Sequence, residues 1–335
     1  MSLIFYTGNT LDQTLLNDQK LSGRIINSIQ AWRSNRSYSD PLKGSRNSTA
    51  NGNSSGTAAT IQTTAAVTSS TTTASTSTTT TDSSTTITSS TTNSTSTNTT
   101  AVIVPPISFH KPTAGCPNAD LTAKLFLPAN ATPNQAHIAI NEMLDIIGPL
   151  IPAGSVDGDA LIKIFIISLE GLSFSADSDE EQNGNSASSS VSPSVEKIAD
   201  IWKQVVSAVQ TRYPKLVEKY GIAELSTEKL TKLLAHLEAE SAVLPSVDHI
   251  NAADCCALPP GLISIAKQRG IRLLAHHDPE EMLSQDALNR VLEAYNPELS
   301  SSSYRWNWIL RLTYIAHDRQ VLAGNDYLVS VSPSE

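Results

Sequence analysis

Aromatic side chains are scarce: 4 Trp, 8 Tyr and 5 Phe make up 5% of the 335 residues. Charged residues are also few, at 16%, and acidic groups outnumber basic ones, giving a formal net charge of −9. That deficit of Lys and Arg argues against a general nucleic-acid or anionic-membrane surface, because both depend on clustered positive charge. Three cysteines, an odd number, cannot make a disulfide framework. They fit a reducing compartment, so a cytoplasmic location is expected. Apolar runs such as Ile164 to Ile167 fall far short of the roughly 18 to 20 residues that cross a bilayer. The first residues lack a basic segment leading into an apolar stretch, so no secretory signal is expected. Membrane, collagen-like and small secreted classes are set aside on these grounds.

What is present is unevenly distributed. Between Ile61 and Thr100, 30 of 40 residues are Ser or Thr, and Asp82 is the one charge. The tract blends out over 44–101. It has too little apolar area to offset its ordering entropy and is expected to be disordered. A second polar stretch, 175–193, carries Asp177, Asp179, Glu180 and Glu181 and reads as a flexible acidic loop. Setting both aside leaves roughly 258 residues, near the roughly 250 of a single (β/α)8 barrel. The domain reading is therefore an N-terminal segment over 1–43, the tract over 44–101, and a barrel over 102–335.

The remainder alternates between strand and helix patterns. Leu21 to Trp32, Ala136 to Ile147, Ser194 to Tyr213, Ser226 to Glu238, Pro259 to Arg269, Ser284 to Tyr295 and Arg305 to His317 have apolar residues at helical spacing. Ser226 predicts an N-cap, and Leu230, Leu233, Leu234 and Leu237 a buried stripe. Ala123 to Leu127, Leu161 to Leu169, Tyr220 to Ala223, Val247 to Ala252 and Ile271 to Ala275 read as strands. Leu161 to Leu169 is nearly continuous in apolar character, as a parallel strand covered on both faces requires. Such alternation implies βαβ units, a parallel sheet and an α/β fold.

Two stretches carry a resemblance. His249-Ile-Asn-Ala-Ala-Asp-Cys-Cys-Ala-Leu-Pro-Pro-Gly-Leu and Ala266-Lys-Gln-Arg-Gly-Ile-Arg-Leu-Leu-Ala-His-His-Asp-Pro-Glu resemble the regulatory (modifier, light) subunits of glutamate–cysteine ligase. Trp308-Ile-Leu-Arg-Leu fits the same pattern, and Thr7-Gly8-Asn9 and Ala123-Lys124-Leu125-Phe126 match weaker landmarks. The joint spacing of Cys-Cys, Pro-Pro and His-Asp-Pro is more specific than any of the three alone. That family looks like a branch of the aldo-keto reductases, which implies a (β/α)8 TIM barrel. The resemblance also implies a non-catalytic role. The chain would bind the ligase catalytic subunit as a heterodimer, raise its affinity for glutamate and relieve glutathione feedback.

The reductase pattern can be followed residue by residue. Carbonyl reduction in that superfamily uses a Tyr proton donor supported by Lys, Asp and His, because the donor must protonate oxygen as hydride arrives. Lys124 falls at the Lys position. Ser168 falls near where the fourth strand should end in His. The Asp and Tyr, expected upstream of Lys124, are not recognisable. The Ser-Asn pair that would hold a nicotinamide amide is Ala223-Glu224, the following Gln is His249, and the stacking Tyr is His276. A carboxylate in place of an amide removes a donor in a buried site. The implied cofactor is therefore none, with vestigial NADPH binding as a minority reading and an NADPH-dependent aldo-keto reductase as the competing function.

Other signals have plainer readings. Cys255 and Cys256 follow a strand, and the resemblance ties them to redox-sensitive pairing with the partner; packing is the simpler use of buried cysteines. Cys116 precedes Pro117 in an irregular segment. His276, His277 and Asp278 look like a ligand cluster, but neighbouring residues of a strand point to opposite faces, so the histidines should diverge. Asp278-Pro279-Glu280 reads as a helix start. Glu224, Glu228 and Lys232 read as a solvated helix face. The candidate partner interface gathers Cys255, Cys256, Pro259, Pro260, Trp306 and Trp308, since aromatic anchors often dominate contacts. No metal, nucleic acid or membrane is expected.

Overall fold

The computed structural model describes residues 2–7, 20–34, 102–104, 119–148, 161–174, 192–251, 258–299, 303–316 and 321–334. All lie in one compact unit formed by Met1–Lys43 and Thr100–Glu335. The elements run β1 (Leu3–Tyr6), α1 (Leu21–Ser34), β2 (Val102–Val104), β3 (Ala119–Leu127), α2 (Pro133–Ile147), β4 (Ile162–Leu169) and α3 (Val195–Arg212). They continue with β5 (Val217–Ala223), α4 (Thr227–Ala239), β6 (Val247–Asn251), α5 (Pro260–Arg269), β7 (Arg272–His276), α6 (Gln285–Tyr295), β8 (Tyr304–Ala316) and β9 (Val321–Pro333). Among the described residues no helix is long and apolar enough to cross a membrane.

The helix starts follow from local chemistry. Ser194, Ser226 and Ser284 sit in extended backbone just before α3, α4 and α6, and each hydroxyl accepts from the backbone N–H three residues on. This satisfies one of the free donors at the first turn. Thr132 and Gln135 form a reciprocal capping box ahead of α2, with Pro133 in its first turn. Gly270 closes α5 at φ 68°, a left-handed conformation that glycine adopts without a Cβ penalty.

The strands form one mixed sheet in the order β2-β1-β9-β8-β3-β4-β5-β6-β7. β3 to β7 are parallel neighbours. β8 runs antiparallel to β3, β9 to β8 and β1 to β9, while β2 pairs parallel with β1. Alternating side chains divide the core by face. Ile4, Leu125, Phe165, Ile222 and Leu310 pack under α2 to α5, together with the buried Trp202 and the α4 leucine stripe. Phe5, Phe126, Ile309 and Val329 point the other way, under α1 and α6.

This layering differs from the expected barrel. The described strands make an open sheet ending at β2 and β7. An eight-stranded barrel keeps one sheet face inside, where side chains fill the space and leave no room for a helix. Here that opposite face carries two helices. The expected helix over Arg305 to His317 is also replaced, by β8. Trp308 and Leu312 have helical spacing, but 304–316 is rich in aromatic and β-branched residues, and β3 and β9 pair with it on both edges. No helix starts at Pro279; α6 starts after Ser284. β1, β2 and β9 are strands beyond those that the sequence pattern predicts.

Candidate functional site: a buried charge cluster

Six ionisable side chains, Lys124, Glu224, His249, His276, Asp278 and Arg311, meet on the sheet face that Lys124 shares with Phe126. Lys124 lies on β3, opposite Arg311 of β8. His249 lies on β6, opposite Ala223 of β5, and His276 ends β7 opposite Asn251. Asp278 follows two residues later. Lys124 is 1% exposed, and His249, His276 and Asp278 are each 8% exposed. Charge at such depth requires partners.

Asp278 supplies them. Its Oδ2 lies 2.8 Å from Lys124 Nζ, and Arg311 Nη1 binds its Oδ1. The Asn251 amide donates to the Asp278 carbonyl at 3.0 Å, fixing the turn. His276 sits between carboxylates. Its Nδ1 accepts the Asp278 backbone N–H at 3.1 Å and lies 3.2 Å from Asp278 Oδ2. Its Nε2 is 2.6 Å from Glu224 Oε1, a close contact not aligned as a hydrogen bond. Lys124 Nζ lies 3.4 Å from the same Nε2. The His249 and His276 rings lie 4.3 Å apart, tilted by 46°.

Glu224 reaches this position through a left-handed backbone, φ 62°, which costs of order 1–3 kcal/mol in a non-glycine residue. Its N–H donates to the His249 carbonyl at 3.1 Å, holding the strained turn against β6. Glu228 and Lys232 form an ion pair on an exposed face of α4. Glu224 departs from that expectation: it lies before the helix and turns inward.

The cluster's electrostatics follow from burial and neighbours. Burial pushes the Asp278 carboxyl up, but the Lys124 and Arg311 charges outweigh it and hold it down at about 2. Burial, reinforced by the Lys124 charge, drives His249 down to about 2, so its ring stays neutral. Lys124 is lowered by burial, against the pull of Asp278. On the other face of β6, burial raises Asp248 well above the usual carboxylate range; its Oδ1 accepts from the Leu225 N–H.

Of the sequence-predicted positions, Lys124, Glu224, His249 and His276 come together here. Ser168 and Ala223 are buried on the same face, on β4 and β5. Asp278 and Arg311 are additions that complete the charge balance. A lone Arg inside Trp308-Ile-Leu-Arg-Leu-Thr-Tyr-Ile is the signal that could have revealed Arg311. His276 and His277 do diverge, the first buried and the second exposed. Of the interface candidates, Cys255 and Cys256, like Cys116, lie outside the described residues. Pro259 is half-buried, Pro260 exposed and Trp306 half-buried. Trp308 is fully buried, and its indole donates to Glu142 Oε2 of α2 at 2.7 Å. It is a core residue and offers no surface to a partner.

No family model matches the chain. Mouse and human proteins named glutamate–cysteine ligase regulatory subunit are each 29% identical to it over 139 residues, 42% of this chain and 48% of theirs. A Schizosaccharomyces pombe protein named provisionally for the same subunit is 25% identical over 163 residues, 46% of this chain and 54% of its own. The chain spans about half the length of the curated relatives it matches. Over that shared stretch, it is similar to regulatory subunits of glutamate–cysteine ligase.

Proposed function

We propose that this chain is a non-catalytic regulatory partner of the glutamate–cysteine ligase catalytic subunit. It binds that subunit as a heterodimer, raises its affinity for glutamate and relieves its inhibition by glutathione. The observation that carries this reading is the similarity to relatives named as regulatory subunits. In thermodynamic terms, the partner's active form binds this chain more tightly than its inhibited form. The difference in binding free energy is the regulatory effect, and it is reciprocal between the sites.

The charge cluster supports a regulatory reading over a reductase one. Carbonyl reduction needs the lysine ammonium to lower the pKa of a proton donor. Here no Tyr donor stands beside Lys124 among the side chains of the cluster, and a carboxylate, Glu224, stands where the reductase pattern has a carboxamide-binding Asn. The aldo-keto reductase kinship then describes ancestry, and NADPH is no working cofactor. In this reading the partner surface takes in Cys255, Cys256 and the first turn of α5, where Pro260 and Ile263 are exposed. The Ser/Thr tract serves as a tether.

Co-purification from the native cell tests the proposal. The catalytic subunit is expected to come down with this chain, and adding purified chain should raise the ligase's apparent affinity for glutamate. Recovery without a ligase catalytic subunit overturns it. Titration with NADPH, read by protein fluorescence, addresses the competing reading; tight binding with turnover of a simple aldehyde would favour the reductase.

A further inference from the structure

We propose that His249, His276 and Asp278 form a binding site for one divalent late-transition metal ion of the zinc class. In the metal-free chain, Lys124 is the internal cation that occupies it. Each of the three residues offers a ligand atom, and these atoms lie within 4.8 Å of one another. Two imidazoles and a carboxylate suit zinc and its neighbours, and do not suit calcium or magnesium, which prefer all-oxygen shells.

Three observations turn this proximity into a site. First, His249 Nδ1 is buried and makes no hydrogen bond, and its ring lies 4.3 Å from that of His276. Second, His276 presents Nδ1 to Asp278 while Glu224 stands at Nε2. Coordination through Nδ1 leaves the Nε2 proton facing a carboxylate, the outer-shell arrangement that orients metal-bound histidines. The strained backbone of Glu224 keeps its carboxylate there. Third, the carboxylate of the set already holds a cation: Lys124 Nζ lies 2.8 Å from Asp278 Oδ2. Metal entry therefore displaces the ammonium from Oδ2 and the backbone N–H from Nδ1, while Arg311 keeps Oδ1. Both displacements weaken the site and make Lys124 a competitor for it. The exposed His277 takes no part.

The full-length chain, stripped of metal with a chelator, is titrated with Zn²⁺ by calorimetry and with Co²⁺ by visible absorption. One ion per chain is expected, and His277→Ala should bind like the natural chain. His249→Asn should weaken binding by at least about tenfold. Glu224→Gln, outside the coordination set, should weaken it by about tenfold to a hundredfold. Lys124→Met should tighten it by about tenfold or more, since a competing charge is gone. Circular dichroism checks folding; if His249→Asn does not fold, Glu224→Gln carries the test. The absence of stoichiometric binding to the natural chain overturns the site. So does binding undiminished in the folded variants, or a Lys124→Met chain that binds no more tightly.

Discussion

Removing the Asp278 carboxylate leaves two cations, Lys124 and Arg311, at a buried position without the carboxylate that bridges them. Breaking a buried pair by deleting one partner costs about 3–5 kcal/mol. Asp278→Asn is therefore expected to destabilise the fold by that amount in urea denaturation. The pH dependence has a definite sign. His249 is held at about 2 in the fold, against roughly 6.5 in the unfolded chain. The unfolded chain thus takes up a proton that the native chain refuses, and stability falls as pH drops below about 6.5. Asp278 contributes stability that is present above about 3.9, its unfolded value, and is lost as pH falls toward its folded value of about 2. His249→Asn should flatten the stability profile between about pH 4 and 6.5, measured by denaturant titration at each pH. An unchanged slope would show that another group carries the proton.

At the scale of elements, one contact lies beside the cluster and another on the opposite face of the sheet. Gly221 of β5 faces Val247 of β6, and a Cβ there would come 2.9 Å from the valine Cβ. Gly221→Ala is expected to cost about 1–3 kcal/mol through overpacking and to move β6, and with it His249. The second contact is Glu142 of α2, which accepts from Trp308 Nε1 at 2.7 Å, from the Ser330 hydroxyl at 2.9 Å and from the Ser2 hydroxyl. One carboxylate thus ties a helix to β8, β9 and the residue before β1. Glu142→Ala leaves the buried indole N–H without an acceptor and should lower stability by about 1–3 kcal/mol in thermal melts. The strand and helix series from β3 to β7 was legible because each element is local: a serine cap, a leucine stripe, a glycine stop. The segment expected as a helix over 305–317 is strand β8 because its period fits both structures; its neighbours in the sheet, distant in sequence, decide the outcome. The same limit applies to the cluster. Lys124, His249 and His276 align with the reductase pattern, but Asp278 also fits a local rule for helix caps, which conceals its long-range role.

At the scale of the whole molecule, the tract over 44–101 separates α1 from β2, two elements of the same compact unit. Closing a shorter loop costs less entropy, and the dependence on length is only logarithmic. Replacing 44–99 with a short Gly-Ser linker should leave the unit folded and shift its stability by no more than about 2 kcal/mol, measured by urea denaturation. Loss of the cooperative transition would show that the tract takes part in the fold.

The sheet order also has a temporal consequence. β1 meets the rest of the sheet through β9, the last strand of the described chain. During synthesis, β1 and the apolar face of α1 emerge before the other described elements and meet β9 and α6 only late. Contacts at such sequence separation slow folding and leave apolar surface uncovered meanwhile. The long polar tract emerges during that wait, so the nascent chain carries its soluble portion while its first strand is still unpaired.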